Sequence, residues 1–331
     1  MAKFFLQHDK IICYNVYKSS WRGRLSIAQG KDDTMAQKLI KLKGNTYYID
    51  SAVNIGIISD GSGSAVIVDT GLDDDMGRRI LKLAGEEGLV PSAIINTHSH
   101  ADHCGGNSFI SKRTSAPIYA SAFEKALIEN PILEPFYLFS AAPPKEMKNK
   151  FLMAKDSTVN HIIVEGEIQI QGINLKIVPL KGHSPGMVGV ATDDDVLFVG
   201  DALFSLNILD KYGLAYFTDI KNTINTLEYL KSLKYDYFVP SHGDILEDPI
   251  PTIEANMARI DKIISLITNY CFDYRSREEI TAYMTVYYDI KLNMGQYYLT
   301  SSTVSAFLSY MTDEGILKAE ILGNNLRWIR V

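Results

Sequence analysis

Apolar positions alternate with small or polar ones through TYYID (46–50), VNIGIIS (53–59) and SAVIVD (64–69). The spacing predicts three strands, the last two separated by the turn Asp60-Gly61-Ser62-Gly63. The period then changes. Met76, Ile80, Leu83 and Ala84 recur at helical spacing and predict a helix over Asp73–Glu87, with Gly88 placed to terminate it. A strand over Ala93–Asn96 follows, then a helix, a short strand at Pro117–Ala120 and a helix over Ala122–Glu129. The second half reads as strands near His161–Val164, Ile173–Pro179, Val188–Ala191 and Val196–Gly200, a helix over Asp219–Leu233 and a strand over Tyr237–Pro240. This alternation predicts an α/β fold. It also carries an echo: a strand ending at Asp69, a helix and a strand delivering His98 match a strand ending at Asp201, a helix and a strand delivering His242. Two βα halves facing each other would bring these strand ends to one edge.

Three stretches depart from that rhythm. Residues 1–40 mix Lys, Asp, Ser and Gln without a clean period and are read as an N-terminal extension. Pro131–Lys155 holds four prolines among Phe136, Tyr137, Phe139, Met147, Phe151 and Met153, which is irregular yet too apolar for a solvated linker; it reads as a lid or substrate wall, or as a loop packed on the core. Beyond a helix over Thr252–Asn269, Ser276 and Glu279 have capping-box spacing, TSSTVSAFLSYMTDEG predicts a second helix ended by Gly315, and ILKAEIL-GNN-LRWIRV predicts a hairpin. Helix, helix and hairpin resemble a winged helix. The expected division is therefore 1–40, a catalytic body over 41–250, and a helical, winged-helix-like part over 251–331.

A hydrophobic content of 46% with 22% charged residues fits a globular chain, and a formal charge of −6 offers no general footprint for nucleic acid or an anionic membrane. From Ser276 onward five basic residues face six acidic ones, so the winged-helix-like part is not favoured as a phosphate binder; packing on the catalytic body or a homodimer contact suits it better. Cys13, Cys104 and Cys271 are widely spaced and odd in number, which argues against a disulfide framework. Cys104 reads as a bystander thiol. No run approaches 18 apolar residues and MAKFFLQHDK places charges before any long apolar stretch, so a cytoplasmic location is the expectation.

The chemistry is concentrated at NTHSHADHCGG (96–106). His98, His100, Asp102 and His103 fall within six positions, three of the chain's seven histidines among them. Imidazoles and a carboxylate brought together must find partners or lose solvation on folding, and a metal ion is such a partner. On one helix these positions would spread around much of the circumference, whereas a loop running into a helix N-terminus can turn all four inward.

THSHADHCGG resembles the metal-binding motif of the metallo-β-lactamase-fold hydrolases, and further marks follow in that family's order: His183 in KGHSPG, Asp201 in FVGDALF and His242 in VPSHGD, with Asp69 in VIVDTG before them. The resemblance covers about Lys41 to Asp244. It implies a four-layer αβ/βα sandwich, one divalent ion held by His98, His100 and His183, a second held by Asp102, His103 and His242, and Asp201 bridging them. Zinc suits these donors, and iron or manganese take the same ligands. A hydroxide shared by two such ions is the implied nucleophile, with Asp102 and Asp201 as catalytic residues and Asp69 supporting the metal loop or a histidine tautomer. Ser184 and Tyr212 are weaker candidates for substrate contact. His8 and His161 are left as ordinary histidines.

Absences narrow the activity. An aspartate at 201 departs from the antibiotic-cleaving lactamases, GDALFSLNILD lacks the cysteine- and arginine-bearing continuation of the glutathione thioesterases, and His100 stands where flavodiiron proteins carry glutamate. What remains is hydrolysis of a small ester, thioester or lactone. The alternatives are a phosphodiesterase or endoribonuclease of the same fold, suggested by the C-terminal winged helix of the β-lactamase-like-2 group, and a non-catalytic metal-holding sensor of a ligand.

Overall fold

The computed structural model describes residues 38–331. His8, Cys13 and nearly all of the segment read as an N-terminal extension lie outside the described residues. One sheet joins β1 (Leu39–Lys43), β2 (Thr46–Ile49), β3 (Ile55–Ser59), β4 (Ser64–Val68), β5 (Val90–Ile95), β6 (Ile118–Ala120) and β7 (His161–Ile162) in chain order. The pairs are antiparallel as far as β4 and parallel from there on. The second sheet runs β12–β11–β10–β9–β8, from β8 (Gly166–Ile170), β9 (Ile173–Pro179), β10 (Val188–Thr192), β11 (Val196–Gly200) and β12 (Tyr237–Pro240). Only β11–β12 is parallel. The echo between the halves is therefore a matched pair of crossovers: α1 (Asp74–Glu86) joins β4 to β5, while α6 (Leu206–Tyr212) and α7 (Ile220–Ser232) join β11 to β12.

Strand alternation decides the layers. Ile58, Val66, Val68, Ala93 and Ile95 point to one face and meet Leu175, Ile177, Val190, Val196, Phe198 and Val239 of the second sheet in a shared core. Their sequence neighbours Ile57, Ala65, Ile67 and Ile94 point the other way, beneath Ile80, Leu83 and Ala84 of α1 and Phe109 and Ile110 of α3 (Asn107–Thr114). On the second sheet Val178, Leu197, Val199 and Phe238 face outward against Leu227 and Leu230 of α7 and Ile253, Ile260, Ile263 and Ile267 of α8 (Ile250–Tyr270). Helix, sheet, sheet and helix make the four layers that the resemblance implies.

Some elements escaped the sequence pattern. β1 begins at Leu39 and pairs with Ile49, so regular structure starts earlier than Thr46. β8 pairs with β9 across a turn in which Gln171 and Gly172 both have positive φ (52° and 81°), the geometry of a two-residue hairpin turn; Gln-Gly marks it less clearly than Asn-Gly would. Pro131–Lys155 is partly helical. It holds α5 (Leu133–Phe139), which follows α4 (Ala122–Glu129), and a 3-10 turn over Lys145–Met147. Pro135 falls in the first turn of α5, where the N–H it lacks has no intrahelical acceptor.

The C-terminal elements are α8, α9 (Arg277–Tyr287), α10 (Met294–Asp313) and the hairpin β13 (Leu317–Leu322)–β14 (Asn325–Arg330). The capping box forms: Glu279 N–H donates to Ser276 Oγ at 3.2 Å and Ser276 N–H to Glu279 Oε2 at 2.8 Å. α10 starts before the run read as helical because Asn293 caps it, accepting the Gln296 N–H at 2.9 Å. Ile280, Met284, Val304, Phe307, Met311 and Leu317 join the same core as the outer face of the second sheet. Among the described residues no helix is long and apolar enough to cross a membrane.

Candidate metal centre

β5 ends at Ile95 and releases the chain through Asn96 and Thr97 into His98 and His100, followed by the one-turn helix α2 (Ala101–Cys104) carrying Asp102 and His103. The exit from α2 leaves room only for glycine. A Cβ on Gly105 would lie 1.9 Å from the Leu72 carbonyl oxygen, and one on Gly106 2.4 Å from that of Thr70. The same seam fixes the turn through hydrogen bonds, because the His103 carbonyl accepts the Thr70 N–H at 2.7 Å and Asn96 Nδ2–H at 3.1 Å. His183 follows β9, Asp201 ends β11 and His242 follows β12, so strand ends of both sheets converge here.

The seven side chains expected from the sequence come together as two neighbouring groups linked through His98, His103 and Asp201. In the first, His98 Nε2 lies 3.0 Å and His183 Nε2 2.9 Å from His100 Nδ1. These spacings approach the roughly 3.3 Å edge of a tetrahedron whose metal–nitrogen bonds are about 2.0–2.1 Å. In the second, His242 Nε2 lies 3.5 Å from Asp102 Oδ2 and His103 Nε2 3.8 Å from Asp102 Oδ1. Asp201 stands between them: one carboxylate oxygen is 3.5 Å from both His183 Nε2 and His242 Nε2, and the other is 3.5 Å from His103 Nε2.

The far nitrogens explain which atoms face inward. His183 Nδ1 donates to the Tyr216 carbonyl at 2.8 Å, His242 Nδ1 to the Ala52 carbonyl at 2.8 Å, and His103 Nδ1 to Asp69 Oδ2 at 2.9 Å. Each ring therefore presents Nε2 to the centre. Thr97 Oγ1 donates to Asp69 at 2.7 Å and so accepts from His98 Nδ1 at 3.1 Å, which frees His98 Nε2 as well. Asp69 also accepts the Thr97 N–H at 2.8 Å and sits at φ 62°, a left-handed conformation that a non-glycine residue holds only when its surroundings impose it.

A cation suits this arrangement. Three ring nitrogens crowd one point, and His103 Nε2 and Asp201 Oδ1 are buried without a hydrogen-bond partner among the described residues. The charges lean the same way. Burial, together with its His103 and His100 neighbours, holds His98 well below the ordinary imidazole range, and burial and His183 push His100 down to about 3. Burial alone would lower His103 too, but the Asp102, Asp201 and Asp69 carboxylates outweigh it and raise the ring to about 9. At His242 burial is likewise outweighed, chiefly by Asp201, and the ring is held well above its usual value. Burial opposes ionisation of Asp201, yet the facing His242 and His103 keep it well below the carboxylate range.

Exposure varies within both groups, His100 being half-buried beside the buried His183. His98 and His103 are fully buried, whereas the side chains of Asp102 and His242 are 38% and 21% exposed, so solvent reaches the centre on their side. The two weaker candidates fare differently from the ligands. Ser184 is buried and its hydroxyl donates to Glu124. Tyr212 is the half-exposed last residue of α6, with Lys211 Nζ 4.8 Å from its ring centroid. Cys104 is buried with its thiol donating to the Ser99 carbonyl at 3.1 Å. Sequence reasoning passed over Glu124, Thr97 and Tyr216. The rings of His100 and His183 lie edge-on to Tyr216, with centroids at 5.5 and 5.6 Å.

The family model of the metallo-beta-lactamase superfamily matches residues 48–242. The chain is 27% identical over 161 residues to the Beta-lactamase-like protein 2 homolog of Drosophila melanogaster, covering 49% of this chain and 48% of that one. It is 30% identical over 144 residues to the hydroxyacylglutathione hydrolase of Xanthomonas oryzae pv. oryzae, covering 44% of each. The matched region spans about half the length of the curated relatives. A beta-lactamase domain protein from Burkholderia ambifaria shares the fold with a TM-score of 0.72 at 17% identity, over 88% of this chain and 94% of that one.

Proposed function

The chain belongs to the metallo-β-lactamase superfamily, and we propose that it is a dinuclear metal-dependent hydrolase of a small carboxylic ester, thioester or lactone. The observation that carries this reading is the pair of neighbouring donor groups joined through Asp201, with two buried donor atoms that have no other partner among the described residues. His98, His100 and His183 would hold one divalent ion, Asp102, His103 and His242 the other, and Asp201 would touch both. The nitrogen-rich donors suit zinc, and iron or manganese accept the same set. Bound divalent ions supply Lewis acidity toward a carbonyl oxygen and bring the ionisation of water near neutral pH.

The protein's own groups supply the rest. Asp102 has its carboxylate on the solvent side of the centre, where it orients the attacking water and accepts a proton at Oδ1 or Oδ2. Asp69 holds His103 in the tautomer that leaves Nε2 free, and the Tyr216 and Ala52 carbonyls do so for His183 and His242. Tyr216 also packs against Leu138, Met147 and Leu152 of the proline-rich segment, as do Tyr298 and Leu299 of α10. This apolar wall beside the triad suits an uncharged acyl group and limits water there. Residues 41–250 carry every proposed site residue, and 251–331 contributes to the wall. The name of the hydroxyacylglutathione hydrolase relative supports including thioesters among the substrates.

The test is a screen of thioester, lactone, phosphodiester and RNA substrates on zinc-loaded wild type and Asp201→Ala. The expected result is turnover of an acyl substrate that the variant loses by more than the roughly 10–100-fold typical of removing a supporting partner. Equal turnover by both proteins overturns the reading, and hydrolysis of phosphodiesters or RNA alone moves the chain to another substrate class.

A further inference from the structure

Glu124 is fully buried at the third position of α4, far from any of the motifs that mark the centre. Its Oε2 accepts the Ser99 N–H at 2.9 Å, and its Oε1 accepts the Gly186 N–H at 2.8 Å and the Ser184 hydroxyl. Ser99 is the residue between His98 and His100, and Ser184 is the residue after His183. One carboxylate thus ties together the two chain segments that carry all three ligand nitrogens of the first group. The turn after His183 is built around it: a Cβ on Gly186 would lie 2.5 Å from Ser121 Oγ and 2.9 Å from Glu124 Oε1. Among the described residues, the hydrogen bonds of the Glu124 carboxylate go to Ser99, Ser184 and Gly186 and none reaches Asp102, His103 or His242; His103 is braced instead by Asp69.

We propose that Glu124 is a positioning residue that sets the spacing of His98, His100 and His183 and thereby the affinity of that triad for its metal, leaving the Asp102–His103–His242 group to Asp69. The inference rests on the reading that the triad holds an ion. Replacing the carboxylate with an amide is decisive because all three contacts are donors. Whichever way a glutamine is turned, its NH2 faces either the Ser99 N–H or the Ser184 and Gly186 donors, so one segment is released.

The experiment titrates metal-free protein with zinc under chelator competition, while side-chain ¹⁵N spectra of the histidines report which ring nitrogens are ligated. Wild type is expected to take up two ions, and Glu124→Gln to bind the ion at His98, His100 and His183 about 10–100-fold more weakly, with the other ion unchanged. Ser184→Ala, which removes one donor and keeps the carboxylate, is expected to weaken the same ion by a smaller factor, and it carries the test should Glu124→Gln fail to fold. Unaltered affinities, or equal losses at both positions, in a wild-type background that binds two ions overturn the role of Glu124 alone. A wild type that takes up no zinc overturns the proposed function together with it.

Discussion

His98, His100 and His183 offer nitrogen only, and of these just His100 is part-exposed, while Asp102, His103 and His242 mix carboxylate with nitrogen and open outward through Asp102 and His242. Burial accounts for the first arrangement: it keeps these rings neutral, the form in which each can offer a lone pair. In the second, carboxylates outweigh burial and favour positive charge on His103 and His242. Under the proposed function the nitrogen-only triad would hold an ion in fixed geometry, and the group with Asp102 would meet water and substrate with a carboxylate in reach.

Their braces differ as well, and this is where the comparison is most easily broken. Asp201 belongs to both groups, so its removal has the largest expected effect and the least selectivity between them. Asp69→Asn comes next. Its amide must face either the Thr97 N–H or both the Thr97 hydroxyl and His103 Nδ1–H, and zinc titration is expected to show about 10–100-fold weaker binding, concentrated at the ion beside His103. A larger loss at the His98–His100–His183 triad would reverse the assignment of braces. Ile57→Ala, at a fully buried position on the outer face of the first sheet, is expected to cost about 2–5 kcal/mol in equilibrium unfolding while leaving both zinc affinities in place. A shift in either affinity would tie the centre to packing rather than to its hydrogen-bonded braces.

How much of this was legible before the fold was known depends on what each residue shows in one dimension. His98, His100, Asp102 and His103 announce themselves by adjacency, and the layer faces follow from alternation such as Ile57 against Ile58 or Leu197 against Phe198. His183, Asp201 and His242 stand alone in the chain; the βα echo placed Asp201 and His242 at the same edge as His98, and His183 was tied to the cluster only by the resemblance. Backbone acceptors left no trace, since the carbonyls of Tyr216 and Ala52 belong to no residue type. Glu124 was hidden by a plausible local explanation. Ser121-x-x-Glu124 has the spacing of a helix capping box, and the Ser121 hydroxyl does accept the Glu124 N–H at 3.4 Å, but the carboxylate reaches across to Ser99, Ser184 and Gly186 instead of back to the cap. Polar side chains that brace a site over long sequence separations look like ordinary local chemistry until the fold brings their partners in.

The most direct measurement is anomalous diffraction at the zinc edge from crystals of zinc-loaded protein. Two peaks roughly 3.5–4 Å apart, one within bonding distance of His98, His100 and His183 and the other of Asp102, His103 and His242, with Asp201 reaching both, are the predicted result. A single peak, or none among these seven side chains in protein that still hydrolyses its substrate, would contradict it.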